Sequence, residues 1–358
     1  MADTISPRVA APAETPEKGT VMLTLPLPYL LFLGDCTEQG YAKTAYGLRD
    51  WANEKCVGEY VLPAGSVSTG LPPMNPAEAA VAGARSMIIG VANPGGFIPD
   101  SWMVALQEAL EAGLDLISGM HSRLSDYPEL KALADRLGRR LIDVRVPPKK
   151  LPVGTGRPRS GKRILTVGTD CALGKKYTAL ALARDIADRG IACDFRATGQ
   201  TGIMIAGEGI PIDAVVSDFL AGAAEVLSPD ADAEHWDVVE GQGALFHPAY
   251  SGVSLGLLHG SQPDVIVVCH DPSRDGVLGV PGYALPGLQE TIDLTLTLAR
   301  RTNPNARCAG ISVNTSRLTE EEAENYMKQE SEALGMPVAD PIRGGAKFSA
   351  LVDSCLNG

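Results

Sequence analysis

The stretch Gly168-Thr-Asp-Cys-Ala-Leu-Gly-Lys-Lys176 carries the residue types of a phosphate-binding loop, with one departure. Apolar residues from Ile164 to Val167 precede it and a helix is expected to begin beyond it, so it joins a strand to a helix. In that setting the loop N–H groups and the helix N-terminus converge on phosphate oxygens, while Lys175 adds a point charge. The departure is Lys176, which stands where a hydroxyl residue ordinarily holds Mg²⁺. A diphosphate can still be anchored, but magnesium-dependent phosphoryl transfer has lost a ligand.

Other reactive side chains fall just after apolar runs, and ligands of open parallel sheets bind beyond the carboxyl ends of their strands. One run ends in Arg196-Ala-Thr-Gly-Gln-Thr-Gly202, read as a polar turn containing Gln200, and another in Glu240-Gly-Gln-Gly243 followed shortly by His247. Two more end in His270-Asp-Pro-Ser-Arg274 and Asn314-Thr-Ser-Arg317. Glu240 suits a metal-holding carboxylate, a general base or a cap. His247 and His270 suit acid–base work or structural hydrogen bonds. Arg196, Arg274 and Arg317 suit an anionic ligand or surface ion pairs. Cys171, inside the loop, reads as a small residue before a nucleophile, although a helix N-terminus would lower its pKa.

Regular elements must hold these residues in place. From residue 21 to 150 short apolar runs alternate with amphipathic stretches: strands at 29–33, 59–62, 86–91, 115–118 and 140–144, and helices near 42–51, 76–83, 100–112 and 127–138. That alternation predicts an N-terminal Rossmann-like parallel α/β domain. Residues 151–162, within a Pro-, Gly- and Lys/Arg-rich stretch, read as a linker. A second alternation, with strands at 164–167, 192–196, 237–240, 265–269 and 310–313, predicts a P-loop NTPase-like α/β domain over 163–358. Residues 1–20, rich in Pro, Ala, Thr and Glu, read as a disordered tail. Gly34-Asp-Cys-Thr-Glu-Gln-Gly40 lacks the G-x-G-x-x-G spacing, which argues against a nicotinamide site. Gly90 to Gly96 and Ser118 to His121 are ligand-facing loops or tight turns.

Composition bounds the function. The 358 residues are 45% hydrophobic and 21% charged, as in a soluble globular protein with room for two cores. A net charge of -12 argues against a nucleic-acid partner, whose phosphates demand a basic face. No apolar run reaches the length of a membrane span. Seven cysteines without metal-ligand spacing suggest neither a disulfide framework nor a metal site, so the cytoplasm is expected. A homo-oligomer is expected as well.

The loop resembles that of the dethiobiotin synthetase superfamily, Gly-Thr-Asp-Thr-x-Val-Gly-Lys-Thr, and Asp237-Val-Val-Glu240-Gly-Gln-Gly243 is similar to its second motif. A wider set is sharper. Gly90 to Gly96, Gly113 to His121, Asp143-Val-Arg145, the loop, Thr198 to Gly202, Glu240 to Gly243, His247-Pro-Ala-Tyr-Ser-Gly252, Leu257-Leu-His-Gly260 and His270 to Arg274 together resemble the two-domain D-glutamate N-acetyltransferase family.

The resemblance implies transfer of an acetyl group from acetyl-CoA to the amino group of D-glutamate, in D-glutamate catabolism. Gly168, Thr169, Asp170, Cys171, Ala172, Leu173, Gly174, Lys175, Lys176 and Tyr177 would then hold CoA, without a metal. An ammonium acceptor needs a base, and Glu240 comes first, with His247 and His270 behind it. Arg196, Gln200, Arg274 and Arg343 would meet the substrate carboxylates. The alternative is an ATP-dependent ligase or kinase of the dethiobiotin synthetase type, in which Thr178 would replace the missing metal ligand if its helix began late.

Overall fold

The computed structural model describes residues 22–93 and 95–357; the tail expected over 1–20 lies outside them, as does Pro94 of the glycine-rich turn. The chain begins with β1 (Leu23–Thr24) and β2 (Tyr29–Gly34), then α1 (Lys43–Trp51), β3 (Cys56–Val61), α2 (Pro76–Val81), β4 (Ser86–Ile89), α3 (Met103–Glu111), β5 (Asp115–Ser118), α4 (Pro128–Leu137) and β6 (Leu141–Asp143). Five of these strands form a wholly parallel sheet of order β3-β2-β4-β5-β6. Strand β2 is buried along its whole length, which explains its unbroken apolar sequence: in a parallel sheet helices cover both faces. Helix α2 opens on a capping box between Asn75 and Glu78, with Pro76 in its first turn.

After residues 144–161, which hold no regular element, come β7 (Lys162–Gly168), α5 (Lys175–Asp188), β8 (Cys193–Arg196), α6 (Gln200–Ala206), β9 (Glu208–Gly209), α7 (Ser217–Leu227), β10 (Trp236–Val239), α8 (Ser251–Ser261), β11 (Val265–His270), α9 (Leu288–Ala299), β12 (Arg307–Val313), α10 (Glu320–Leu334), β13 (Val338–Ala339) and α11 (Gly345–Leu356). The second sheet, again parallel, has the order β13-β12-β11-β7-β10-β8. Its strand β7 lies between β11 and β10, so the loop that leaves β7 emerges at mid-sheet with the loops of β10 and β11 on either side.

Two features depart from the sequence reading. The segment read as a polar turn becomes helix α6 from Gln200 onward. Glycines at 199 and 202 hide it, because glycine lowers helix propensity; burial of Ile203, Met204 and Ile205 overrides that cost. The two units also do not part cleanly at the linker. Those three residues, with Leu180 and Ala197, join the hydrophobic core of the first unit. Strand β1 pairs antiparallel with β9 of the second unit. Lys55 donates from Nζ to the carbonyls of Ile205 and Ala206 at 2.7 and 2.9 Å, closing the carboxyl end of α6 from the first unit.

Helix α6 is thus a shared core element. Ile203→Ala is expected to cost about 2–5 kcal/mol, as for a fully buried aliphatic truncation. A urea titration that follows both units separately should show both shifting; a shift confined to the second unit would mean that the shared core does not couple them.

Candidate active site

The loop after β7 is built around a buried carboxylate. Asp170 is fully buried and accepts from the Cys171 N–H at 2.7 Å, the Leu278 N–H at 2.8 Å and Arg274 Nη1 at 2.7 Å. The same guanidinium donates to the carbonyls of Cys171 and Ala172, both at 2.9 Å. Arg274 therefore braces the loop and is not free for a substrate carboxylate. Two residues keep the turn tight in left-handed backbone, Ala172 at φ 53° and Gly174 at φ 108°. Lys175 begins α5, is buried between Gly168 and Gly241, and donates from Nζ to the Asp170 carbonyl at 2.7 Å. Burial lowers its pKa.

Because α5 starts at Lys175, Thr178 lies in its fourth position, and its Oγ1 meets Ser312 Oγ at 2.7 Å in the core. It is not placed to replace the metal-holding hydroxyl. His270 meets the loop from the next strand, with Nδ1 2.9 Å from Thr169 Oγ1, and burial holds its imidazole below the usual range. The Cys171 thiol is pushed up by burial, so it is protonated at neutral pH.

Glu240 follows β10 and is buried. One oxygen, Oε2, accepts from the N–H groups of Thr198 and Gly199 at 2.9 and 3.0 Å. The other, Oε1, has no hydrogen-bond donor among the described residues. Gly202 permits this packing: a β-carbon there would run into Oε2. Burial pushes the carboxyl above the usual carboxylate range, against the pull of the two amides and of Lys176. The arrangement is a rigid carboxylate with one oxygen to spare, which is what proton abstraction requires.

Several expected residues are engaged elsewhere. His247 accepts the Ala249 N–H at Nδ1, 3.1 Å away, which leaves Nε2 to donate to the Leu278 carbonyl at 3.2 Å. Both its nitrogens are engaged by backbone groups, which favours the structural reading of this histidine over the acid–base one. Arg196 turns back along the sheet to Asp237 at 2.7 Å and Asp194 at 2.9 Å. Arg343 donates to Thr315 Oγ1 at 2.7 Å and to the Leu318 carbonyl at 3.0 Å. Gln200 accepts from Arg145 Nη1 at 2.7 Å, and Arg145 also pairs with Asp213 at 3.2 Å, a bridge between the two units. The ligand atoms of Asp170, Cys171 and His247 lie within 4.8 Å of one another. With the carboxylate facing a guanidinium and the imidazole committed, that donor set does not suit a cation.

Sequence reasoning missed two features. A cavity of about 330 Å³ lies beside the start of α5, walled by Trp51 and Tyr177 on one side and Pro341 and Ile342 on another. Lys176 points toward the first unit: its Nζ lies 4.4 Å from the Tyr177 ring centroid and beside Gly47 of α1. Neither has a local signal, since both depend on how the units dock.

A family model described as a P-loop domain of unknown function, DUF1611, matches residues 152–351, and its Rossmann-like companion matches residues 54–147. The chain is 51% identical over 327 residues to a protein of Tritonibacter scottomollicae named D-glutamate N-acetyltransferase, covering 91% of this chain and 98% of that one. It is 46% identical over 318 residues to one of the same name from Pseudoalteromonas sp, covering 89% and 96%. The crystal structure of a DUF1611 family protein from Anabaena variabilis, at 33% identity, covers 92% of this chain and 100% of its own with a TM-score of 0.79.

Removing the Arg274 brace leaves Asp170 buried and unpaired. Arg274→Ala is expected to destabilise the protein by about 3–5 kcal/mol, read from chemical unfolding. An unchanged stability would mean that the loop holds its shape without the pair.

Proposed function

Since the chain belongs to the D-glutamate N-acetyltransferase family and is an acyltransferase, we propose that it transfers the acetyl group of acetyl-CoA to the amino group of D-glutamate. The observation that carries this reading is Glu240: a buried carboxylate with one oxygen pinned and one free, beside a phosphate loop whose metal-holding hydroxyl is replaced by lysine. The loop amides and Lys175 hold the CoA diphosphate, and the cavity walled by Trp51 and Tyr177 takes the flat adenine ring. Glu240 takes a proton from the substrate ammonium. The freed nitrogen attacks the thioester carbonyl carbon, the C–N bond forms, the C–S bond breaks, and the second proton lost by the nitrogen ends on the departing sulfur, which leaves as the CoA thiol. The ligase reading is disfavoured by the same loop, because Lys176 replaces one metal ligand and Thr178 is committed to Ser312.

The reading includes a cytoplasmic, homo-oligomeric enzyme of D-glutamate catabolism. All seven cysteines are free, which suits a reducing compartment. Among the described residues no helix is long and apolar enough to cross a membrane.

Purified protein given acetyl-CoA and D-glutamate in the presence of a chelator should release thiol in step with N-acetyl product. Formation of ADP from Mg²⁺-ATP with a carboxylate substrate, and no thiol release, would transfer the case to the ligase reading. Glu240→Gln should lower kcat roughly 10²–10⁴-fold with CoA affinity retained. A base works only when deprotonated, and this carboxyl sits above its ordinary value. Activity should therefore fall as pH drops, with an acid limb above that of an ordinary glutamate and absent from the Gln variant.

A further inference from the structure

Three of the arginines that sequence spacing offers are held by protein partners, Arg274 by Asp170, Arg196 by Asp237 and Arg343 by Thr315, while Arg317 is exposed beyond β12, which two strands separate from β10. What remains near Glu240 is Lys176. Its side chain is half-buried, and its ammonium rests on the Tyr177 ring and has no hydrogen-bond acceptor among the described residues. Gly47 of α1 sets the geometry: a β-carbon there would lie 3.3 Å from Thr201 Cγ2 and 4.0 Å from Lys176 Nζ. Thr201 is the neighbour of the Gly199 and Gly202 positions that surround the Glu240 carboxylate. Thr44 Oγ1 meets Thr201 Oγ1 at 3.4 Å from the same turn of α1. The first turn of α1, the first turn of α6, Lys176 and Glu240 thus converge, and the exposed first residue of α1 is Lys43.

We propose that Lys176 holds the α-carboxylate and Lys43 the side-chain carboxylate of a dicarboxylic amino acid whose ammonium faces Glu240. This rests on the acyltransfer reading above. The charges are complementary, two cations and one carboxylate on the protein against two carboxylates and one ammonium on the substrate. Lys176 feels both Glu240 and Lys43 electrostatically, the former holding its ammonium charged and the latter opposing it, beneath a larger cost of burial. An anion placed between the lysines relieves that cost and their mutual repulsion. Asp213, the other carboxylate that Glu240 senses, is already paired with Arg145.

Binding separates this inference from the chemistry. D-glutamate and D-glutamine are titrated calorimetrically into the full-length protein with CoA present, and CoA is titrated separately. Lys176→Ala should weaken D-glutamate binding roughly 10- to 100-fold, the worth of a charge-assisted contact, with CoA affinity unchanged and with Lys176→Arg restoring most of the loss. Lys43→Ala should weaken D-glutamate and leave D-glutamine as it was, so that the preference for the acid collapses. A Lys176→Ala loss as large for CoA as for D-glutamate would overturn the proposal by returning Lys176 to the phosphates; so would an equal effect of Lys43→Ala on both amino acids. Wild-type protein that binds D-glutamate and releases no thiol would sink the acyltransfer reading alone.

Discussion

The structure turns on the burial of one charge, the Glu240 carboxylate. A carboxylate removed from water needs compensation worth several kcal/mol. Here it comes from the Thr198 and Gly199 amides and from Lys176. Those amides lie at the start of α6, and the far half of α6 is packed into the core of the other unit. One short helix therefore both holds the Glu240 carboxylate and docks the two units. A displacement of either unit that dragged α6 would strip two donors from Oε2, so the carboxylate keeps its partners only when the units are seated. Lys55 and Arg145 reach across from the first unit to opposite ends of α6, the first to its last carbonyls and the second to Gln200.

Local features were legible in the sequence and docking was not. The phosphate loop could be read because its glycines, lysine and preceding apolar strand are contiguous, and β5 lies at Asp115–Ser118, as expected from the sequence. Strand β3 was read from Glu59, whereas pairing with β2 extends it from Cys56. There the polar Glu59 is buried, accepting from Thr69 N–H at 2.6 Å, which interrupts the apolar pattern. Two-residue strands such as β1 and β9 are too short to show any period. At the site, the rule that strand ends carry function identified Glu240 as a candidate, but the rule concerns where a backbone ends and not where a side chain turns. Arg196 ends its strand and folds back to Asp237; His247 closes a turn of its own. Lys43 carries no local signal, because α1 is brought to α6 only by the docking of the two units.

A loop that anchors phosphate without cleaving it faces a different physical demand from one that splits it. In phosphoryl transfer the loop must bind more tightly as charge develops on the moving group, hence the metal and its hydroxyl. In the acyltransfer reading the diphosphate is unchanged throughout, so the amides and Lys175 stabilise ground and transition states alike. Such uniform binding sets how well CoA is held and leaves the rate to the group that removes the proton. What the loop can add to rate is position: a fixed diphosphate confines the thioester at the far end of the pantetheine arm to the neighbourhood of the amine. Rigidity then matters more than charge. Asp170 clamped by Arg274 and two backbone amides, with Lys175 closing on its carbonyl, supplies that rigidity before any ligand arrives. In the same reading Lys176, standing in place of the metal-holding hydroxyl, would be released from the phosphates and its charge would serve the amino-acid side of the cleft.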